Sequence, residues 1–226
     1  MNIKKKTWWI AAAVCFLLFL GLTASVLWID VAPVATTQSE IGLSTLNLAV
    51  RDAVGTNETW YKITELLGYL SIASAAGIAL IGAYQLALKK KFSAVDRDLY
   101  CAAGAYGAVA AFYVVFELVV INYRPILMGA EPEASFPSSH TMLTVALMGV
   151  AIHQLSTRIS SQTLRVICAV FCSMIAAVTT AGRMLAGVHW ITDIVGGVLL
   201  GLAIFFAYLG AVSSLDSVTK NTINND

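Results

Sequence analysis

Six runs of this 226-residue chain carry almost no ionisable side chains, and each is long enough to cross a bilayer. Thr7 to Ile29 and Leu66 to Leu88 are 23 residues each, and Leu99 to Tyr123 is 25 with only Glu117 inside. Thr141 to Thr157 and Val166 to Gly182 are 17 each, and Ile194 to Leu215 is 22. A membrane helix needs roughly 17–25 mainly apolar residues. Hydrocarbon offers no water to the backbone, so such runs must be helical. Charged residues make up 12% of the chain, about half the ~25% usual in soluble globular domains. The expectation is an all-α, polytopic membrane bundle of six transmembrane helices in one integral membrane domain, residues 1–226. Within it, 1–29 is an anchor helix, 30–65 an external segment, 66–215 a five-helix catalytic bundle and 216–226 a cytoplasmic tail. A disordered or soluble chain is excluded, and a net charge of +1 offers no basic field to nucleic acid.

Lys4, Lys5 and Lys6 before the first run give it the look of a secretory signal. Signal h-regions, however, are about 7–15 residues and end at small side chains. This run is longer and ends in Val26, Leu27 and Trp28, so it reads as a retained anchor. Ten of the fourteen Lys and Arg residues fall on one side if the N-terminus is inside: Lys4, Lys5, Lys6, Lys89, Lys90, Lys91, Arg97, Arg158, Arg165 and Lys220. Arg51, Lys62, Arg124 and Arg183 remain outside. The positive-inside rule thus expects both termini in the cytoplasm.

The external segment repeats Leu43, Leu46, Val50 and Val54 at helical spacing, with Ser44, Asn47, Arg51 and Asp52 on other faces. That pattern predicts an amphipathic helix lying over the bundle. Cys15, Cys101, Cys168 and Cys172 all sit within the apolar runs, where packing is the expected role rather than a disulfide or metal site. Gly197 and Gly201 form a small-xxx-small pair. It suits packing inside the bundle, with a homodimer as the alternative.

Polar side chains in a membrane protein are costly and usually functional. Two of the three histidines, His140 and His189, stand at expected outer ends of runs; His153, beside Gln154, reads as interfacial. Three of the four prolines, Pro125, Pro132 and Pro137, crowd the loop between the third and fourth runs. That loop opens with Arg124-Pro125 and closes with Pro137-Ser138-Ser139-His140; a second cluster holds Arg183, His189 and Asp193. Arginine is a planar fork suited to phosphate oxygens. Ser138 and Ser139 lead into a helix N-terminus, where free N–H groups and the dipole favour an anion. His189 and Asp193 are four apart, on one face if helical. A carboxylate there holds one imidazole nitrogen protonated and leaves the other nucleophilic. A second imidazole, His140, can protonate a leaving oxygen. These groups supply the positioning and charge stabilisation that phosphoryl transfer asks for, with no metal or other cofactor.

The ordered set Arg124-Pro125, Pro137-Ser-Ser-His140 and Gly182-Arg183-x5-His189-x3-Asp193 resembles the type 2 phosphatidic acid phosphatase family. That family's signatures are K-x6-R-P, P-S-G-H and S-R-x5-H-x3-D. The resemblance covers roughly residues 60–212 and implies a six-helix enzyme acting on lipid phosphates. By that resemblance His189 is a nucleophile forming a phosphohistidine, Asp193 its orienting partner and His140 the acid for the leaving group. Arg124, Arg183 and Ser138–Ser139 would bind phosphate. Three positions depart from the pattern: Ser139 stands for Gly, Gly182 for Ser, and Glu117 for the Lys. Seven residues before Arg124 on a continuous helix, Glu117 is expected about two turns deeper on the same face, holding Arg124 or Arg183 in place at the edge of the substrate site.

The resulting expectation is a multi-pass cell-membrane lipid phosphatase with an extracytoplasmic active site. Isoprenoid pyrophosphates such as undecaprenyl pyrophosphate, phosphatidic acid and phosphatidylglycerophosphate are the candidate substrates. Two other readings share the residues: a lipid phosphotransferase, and a non-catalytic lipid-phosphate-binding protein that lost the Lys. A transporter fits poorly, because the ionisable groups gather at one face and not along a mid-depth path.

Overall fold

The computed structural model describes residues 3–34 and 37–223. Residues 1–2, 35–36 and 224–226, the last of these the end of the expected tail, lie outside the described residues. So do the side chains of 3–4 and 216–223, Lys4 and Lys220 among them. Seven α-helices are described: α1 Ile3–Trp28, α2 Ser44–Val54, α3 Glu58–Lys89, α4 Arg97–Leu118, α5 Ser139–Arg158, α6 Gln162–Ala186 and α7 Ile191–Ile223. A short antiparallel hairpin, β1 Ala32–Val34 with β2 Ser39–Ile41, pairs Ala32 with Ile41 and Val34 with Ser39. The hairpin lies within residues 30–65, where the sequence reading expects only a helix.

Among the described residues, five helices (α1, α3, α4, α6 and α7) are long and apolar enough to cross a membrane. The fourth apolar run forms α5, which is central. Thr141, Met142, Thr144, Gln154 and the stretch from Ala146 to Ala151 are all buried in it. A helix enclosed by α3, α4, α6 and α7 faces protein on most sides, so its sequence tolerates polar positions that lipid would not. Gly197 and Gly201 serve this packing. A Cβ on Gly197 would lie 2.7 Å from the Ser138 carbonyl oxygen, and one on Gly201 would lie 2.8 Å from that of Met142. The small-xxx-small pair therefore seats α7 on α5.

Cutting the runs at ionisable residues misplaces their ends. α3 begins eight residues before Leu66 and so holds Glu65 within the helix, whereas α4 stops at Leu118, short of Tyr123. The expected face of α2 is also corrected. Ser44 and Asn47 are its buried residues, while Leu46 is 51% exposed. Asn47 turns inward because it has partners there. Its amide donates to the Gly42 carbonyl at 2.8 Å, and its oxygen accepts from the Thr192 backbone N–H at 3.3 Å and hydroxyl at 3.2 Å. Asn47 thus pins α2 to the first turn of α7.

At the opposite end of the bundle, Arg158 grips Asp98 through two nitrogens at 2.8 and 3.2 Å. His153 is not merely interfacial: its Nδ1 lies 2.7 Å from the Tyr208 hydroxyl, which also accepts from Gln154 at 2.7 Å. Among the described residues the four cysteines form no disulfide.

Candidate active site

Residues 119–138 fold back on themselves next to the start of α7. Tyr123 bridges Ala134, the Arg124 N–H donates to the Glu133 carbonyl at 3.1 Å, and the Ser135 N–H donates to the Asn122 carbonyl at 3.0 Å. Two bonds tie this fold to α7: Trp190 Nε1 donates to the Tyr123 carbonyl at 2.7 Å, and the Ser138 N–H donates to the Asp193 carbonyl at 3.0 Å. Ser135, His140, His189 and Asp193 are thereby brought to one end of the bundle.

His189 and Asp193 share a face, yet Nδ1 is 3.5 Å from Oδ2, too far for a good hydrogen bond. Ser135 stands between them: its hydroxyl donates to Asp193 Oδ2 and lies 3.1 Å from His189 Nδ1. A hydroxyl has one proton. With that proton on Asp193, Ser135 Oγ can only accept from the imidazole, so the hydrogen sits on Nδ1. Nε2 then keeps its lone pair, and it is buried with no partner among the described residues. Asp193 itself is fully buried and further held by two donors and a helix dipole. Oδ1 accepts from Asn122 at 3.1 Å, Oδ2 accepts from the Trp190 N–H at 2.9 Å, and the residue opens α7, where the helix dipole favours an anion. Burial pushes His189 below the ordinary imidazole value, against the pull of Asp193, and Arg124 and Arg183 push the same way.

Arg183 is fully buried. Its Nη2 donates to Glu65 Oε1 at 2.7 Å, its Nη1 to the Thr64 hydroxyl at 3.3 Å, and its guanidinium lies 5.1 Å from the centre of the Tyr61 ring. Arg124 Nε lies 3.1 Å from Glu133 Oε2. His140 Nε2 lies 3.0 Å from the same Glu65 oxygen that Arg183 uses. Burial, together with Arg183, His189 and Arg124, drives the His140 pKa down to about 3, so the resting imidazole is neutral. Four buried nitrogens here have neither a hydrogen-bond nor an ion-pair partner among the described residues: Arg124 Nη1, Arg183 Nε, His140 Nδ1 and His189 Nε2.

The structure treats the remaining sequence-expected residues unevenly. Ser139 lines a small cleft together with His189, Ser135 and Glu117. Ser138 is fully buried, and its hydroxyl accepts from Thr141 at 3.1 Å. The expected pairing of Glu117 with an arginine is overturned. α4 ends at Leu118, so Glu117 and Arg124 do not share a helix face. Both arginines are held by other carboxylates, Glu65 and Glu133. Glu117 is exposed.

Glu65, Thr64, Glu133, Ser135 and Asn122 were missed from sequence. Glu65 served only as a boundary of an apolar run. Its signal was a carboxylate two turns into what proved to be a helix, in a chain with little charge. The Gly182 departure also finds its reason here. A Cβ at that position would lie 2.6 Å from Thr64 Cγ2 and 3.0 Å from the Trp60 ring. Its absence lets α3 approach α6 closely enough for Thr64 and Glu65 to reach Arg183.

Fold and site together define a polytopic helical membrane protein with two histidines and two arginines gathered at one end of the bundle. The PAP2 superfamily profile matches residues 68–215, and the chain belongs to that superfamily. Its fold is similar to that in the "Crystal structure of the first transmembrane PAP2 type phosphatidylglycerolphosphate phosphatase from Bacillus subtilis". The TM-score is 0.66 at 20% sequence identity, over 92% of this chain and 96% of that one. No curated protein matches in sequence.

Proposed function

We propose that this protein is a membrane lipid phosphatase that cleaves the phosphate of a lipid phosphate or isoprenoid pyrophosphate through a phosphohistidine on His189. The four partnerless buried nitrogens carry this reading. Buried polar groups are nearly always hydrogen-bonded, and a set of two guanidinium and two imidazole nitrogens is complementary to a phosphoryl group. In this mechanism Arg124, Arg183 and Ser139 hold the phosphoryl oxygens, and His189 Nε2 attacks phosphorus. Asp193, through Ser135, stabilises the positive charge that grows on the ring. His140, once an anionic phosphate favours its charged form, gives a proton to the departing oxygen. Neutral His140 then takes a proton from water as water attacks the phosphohistidine, which releases inorganic phosphate. The distribution of Lys and Arg supports an extracytoplasmic placement of the reaction.

The test is phosphate release in detergent from a panel of lipid phosphates, with trapping of labelled enzyme. Parent protein should release phosphate and yield an acid-labile, alkali-stable label; His189→Ala should do neither. Release without label by the parent would remove the covalent step, and no release from any substrate would leave a binding protein. Glu117 in the cleft, where the family carries Lys, is the observation that favours that second reading.

A further inference from the structure

The mechanism above leaves Glu65 without a task, although it touches two of its groups. One oxygen, Oε1, lies 2.7 Å from Arg183 Nη2 and 3.0 Å from His140 Nε2. It takes one nitrogen of each group and leaves Arg183 Nε and His140 Nδ1 without partners. Two missing side chains permit this approach. A Cβ on Gly68 would lie 2.9 Å from His140 Cδ2, and the Gly182 position is blocked by Thr64 and Trp60 in the same way. A simple counter-ion for Arg183 would require only the first of these contacts. The seating of the His140 ring against α3 is additional.

We infer that Glu65 is a positioning residue for proton transfer: it holds the Nε2–H edge of His140 and so leaves Nδ1 as the nitrogen that serves the leaving group. This rests on the phosphatase reading above. In the resting state Nε2 carries the hydrogen and donates it to Glu65, while Nδ1 is bare. A bound phosphate brings a proton onto Nδ1. As the His189–phosphorus bond forms and the phosphorus–oxygen bond breaks, that proton passes to the lipid oxygen. Nδ1 is reloaded from the attacking water in the second half-reaction, and the Glu65 bond persists throughout. The pairing is the counterpart of Asp193 acting on His189 through Ser135. Four ionisable groups face His140: Glu65 from α3, Arg183 from α6, Arg124 from the 119–138 loop, and His189 ahead of α7. Glu65 is the carboxylate among them, so neutralising it leaves the protonated ring facing two guanidinium groups.

The experiment is the pH profile of kcat for Glu65→Gln with two substrates. One is a lipid phosphate, whose alkoxide needs a proton; the other is p-nitrophenyl phosphate, whose leaving group does not. With the lipid, the alkaline limb should move down by about one pH unit, which is about a tenfold loss on its alkaline side. The aryl phosphate should lose less than about threefold in kcat, by the same dependence on leaving-group protonation. Equal losses on both substrates with an unmoved limb would make Glu65 a structural counter-ion and overturn the inference. Gly68→Ala is the second variant, since it pushes the His140 ring without touching the Glu65–Arg183 pair. It should show the same selectivity for the poorer leaving group, and uniform activity across both substrates would refute the seating. Parent protein and His189→Ala are assayed alongside. If the parent releases no phosphate from either substrate the phosphatase reading has failed, whereas an active parent with an unmoved Glu65→Gln profile rejects the role of Glu65 alone.

Discussion

Replacing Ser135 with Ala is the sharpest probe of the site, because this hydroxyl joins the imidazole to its carboxylate. The substitution removes a donor to buried Asp193 and the acceptor for His189 Nδ1–H, and leaves the two ends 3.5 Å apart. An unsatisfied buried polar group costs roughly 1–3 kcal/mol. Here that cost grows as positive charge develops on the ring, so it is felt in the transition state. At about 1.4 kcal/mol per factor of ten, kcat should fall by about 10- to 100-fold. KM should change little, because Ser135 lies on the nitrogen away from phosphorus. Asp193 keeps its bonds from Asn122 and the Trp190 N–H, so the fold should survive. The assay is steady-state phosphate release in detergent, with Asp193→Asn and the double variant to complete a cycle. Strongly sub-additive losses are expected, as for residues acting as one unit. Activity of Ser135→Ala within twofold of the parent, or strictly additive losses, would show that Asp193 acts on His189 directly and that the relay is wrong.

Gly182→Ser, which installs the residue usual in the family, should destabilise the protein by about 1–3 kcal/mol through overpacking, because its Cβ would sit 2.6 Å from Thr64 Cγ2. Adding Thr64→Ser, which removes that methyl and keeps the hydroxyl bound to Arg183, should recover part of the Tm in detergent melts. His189 is depressed in the folded state, so the unfolded chain binds the extra proton. Its contribution to stability is therefore fully present above the unfolded value, about 6.5, and is lost as pH falls below it. The same depression places the acid limb of kcat/KM below pH 6.5, and His189→Asn should remove this part of the pH dependence of Tm. Glu117 is exposed and lines the cleft with His189, so Glu117→Gln should leave Tm unchanged. Glu117→Lys should lower KM for a lipid phosphate by about fivefold or more, taking about 1 kcal/mol per nearby charge in a watery setting; an unchanged or higher KM would remove Glu117 from the substrate path.

The sequence carried the elements with a strong one-dimensional signal. Long apolar runs mark helices, and the spacing of His189 and Asp193 puts them on one face. It carried less about anything decided by what lies opposite. Leu46 and Asn47 show this: periodicity turned the leucine inward, yet Asn47 is the buried one because Gly42 and Thr192 await it. The extent of α4 depended on the fold-back of residues 119–138, and with it fell the pairing of Glu117 with Arg124. Glu65 and Ser135 belong to no short motif. Glu65 lies 75 residues before His140 and Ser135 lies 54 before His189, and only the packing of α3 and the 123–134 bridge brings them to these imidazoles.

The turn between α6 and α7 has a consequence for anyone who would rebuild this protein from parts. Gly187 adopts φ +68° and Gly55 φ +70°, and a Cβ on Gly187 would fall 1.9 Å from the Gly55 carbonyl oxygen. One turn lies against the other, and the Asn57 N–H closes the join on the Ala186 carbonyl at 3.1 Å. His189 follows two residues later. The 30–65 segment is therefore not a detachable cap that can be swapped between relatives as a cassette. A chimera that imports a foreign 30–65 stretch must import the matching 186–188 corner with it, or the graft will shift the His189 ring.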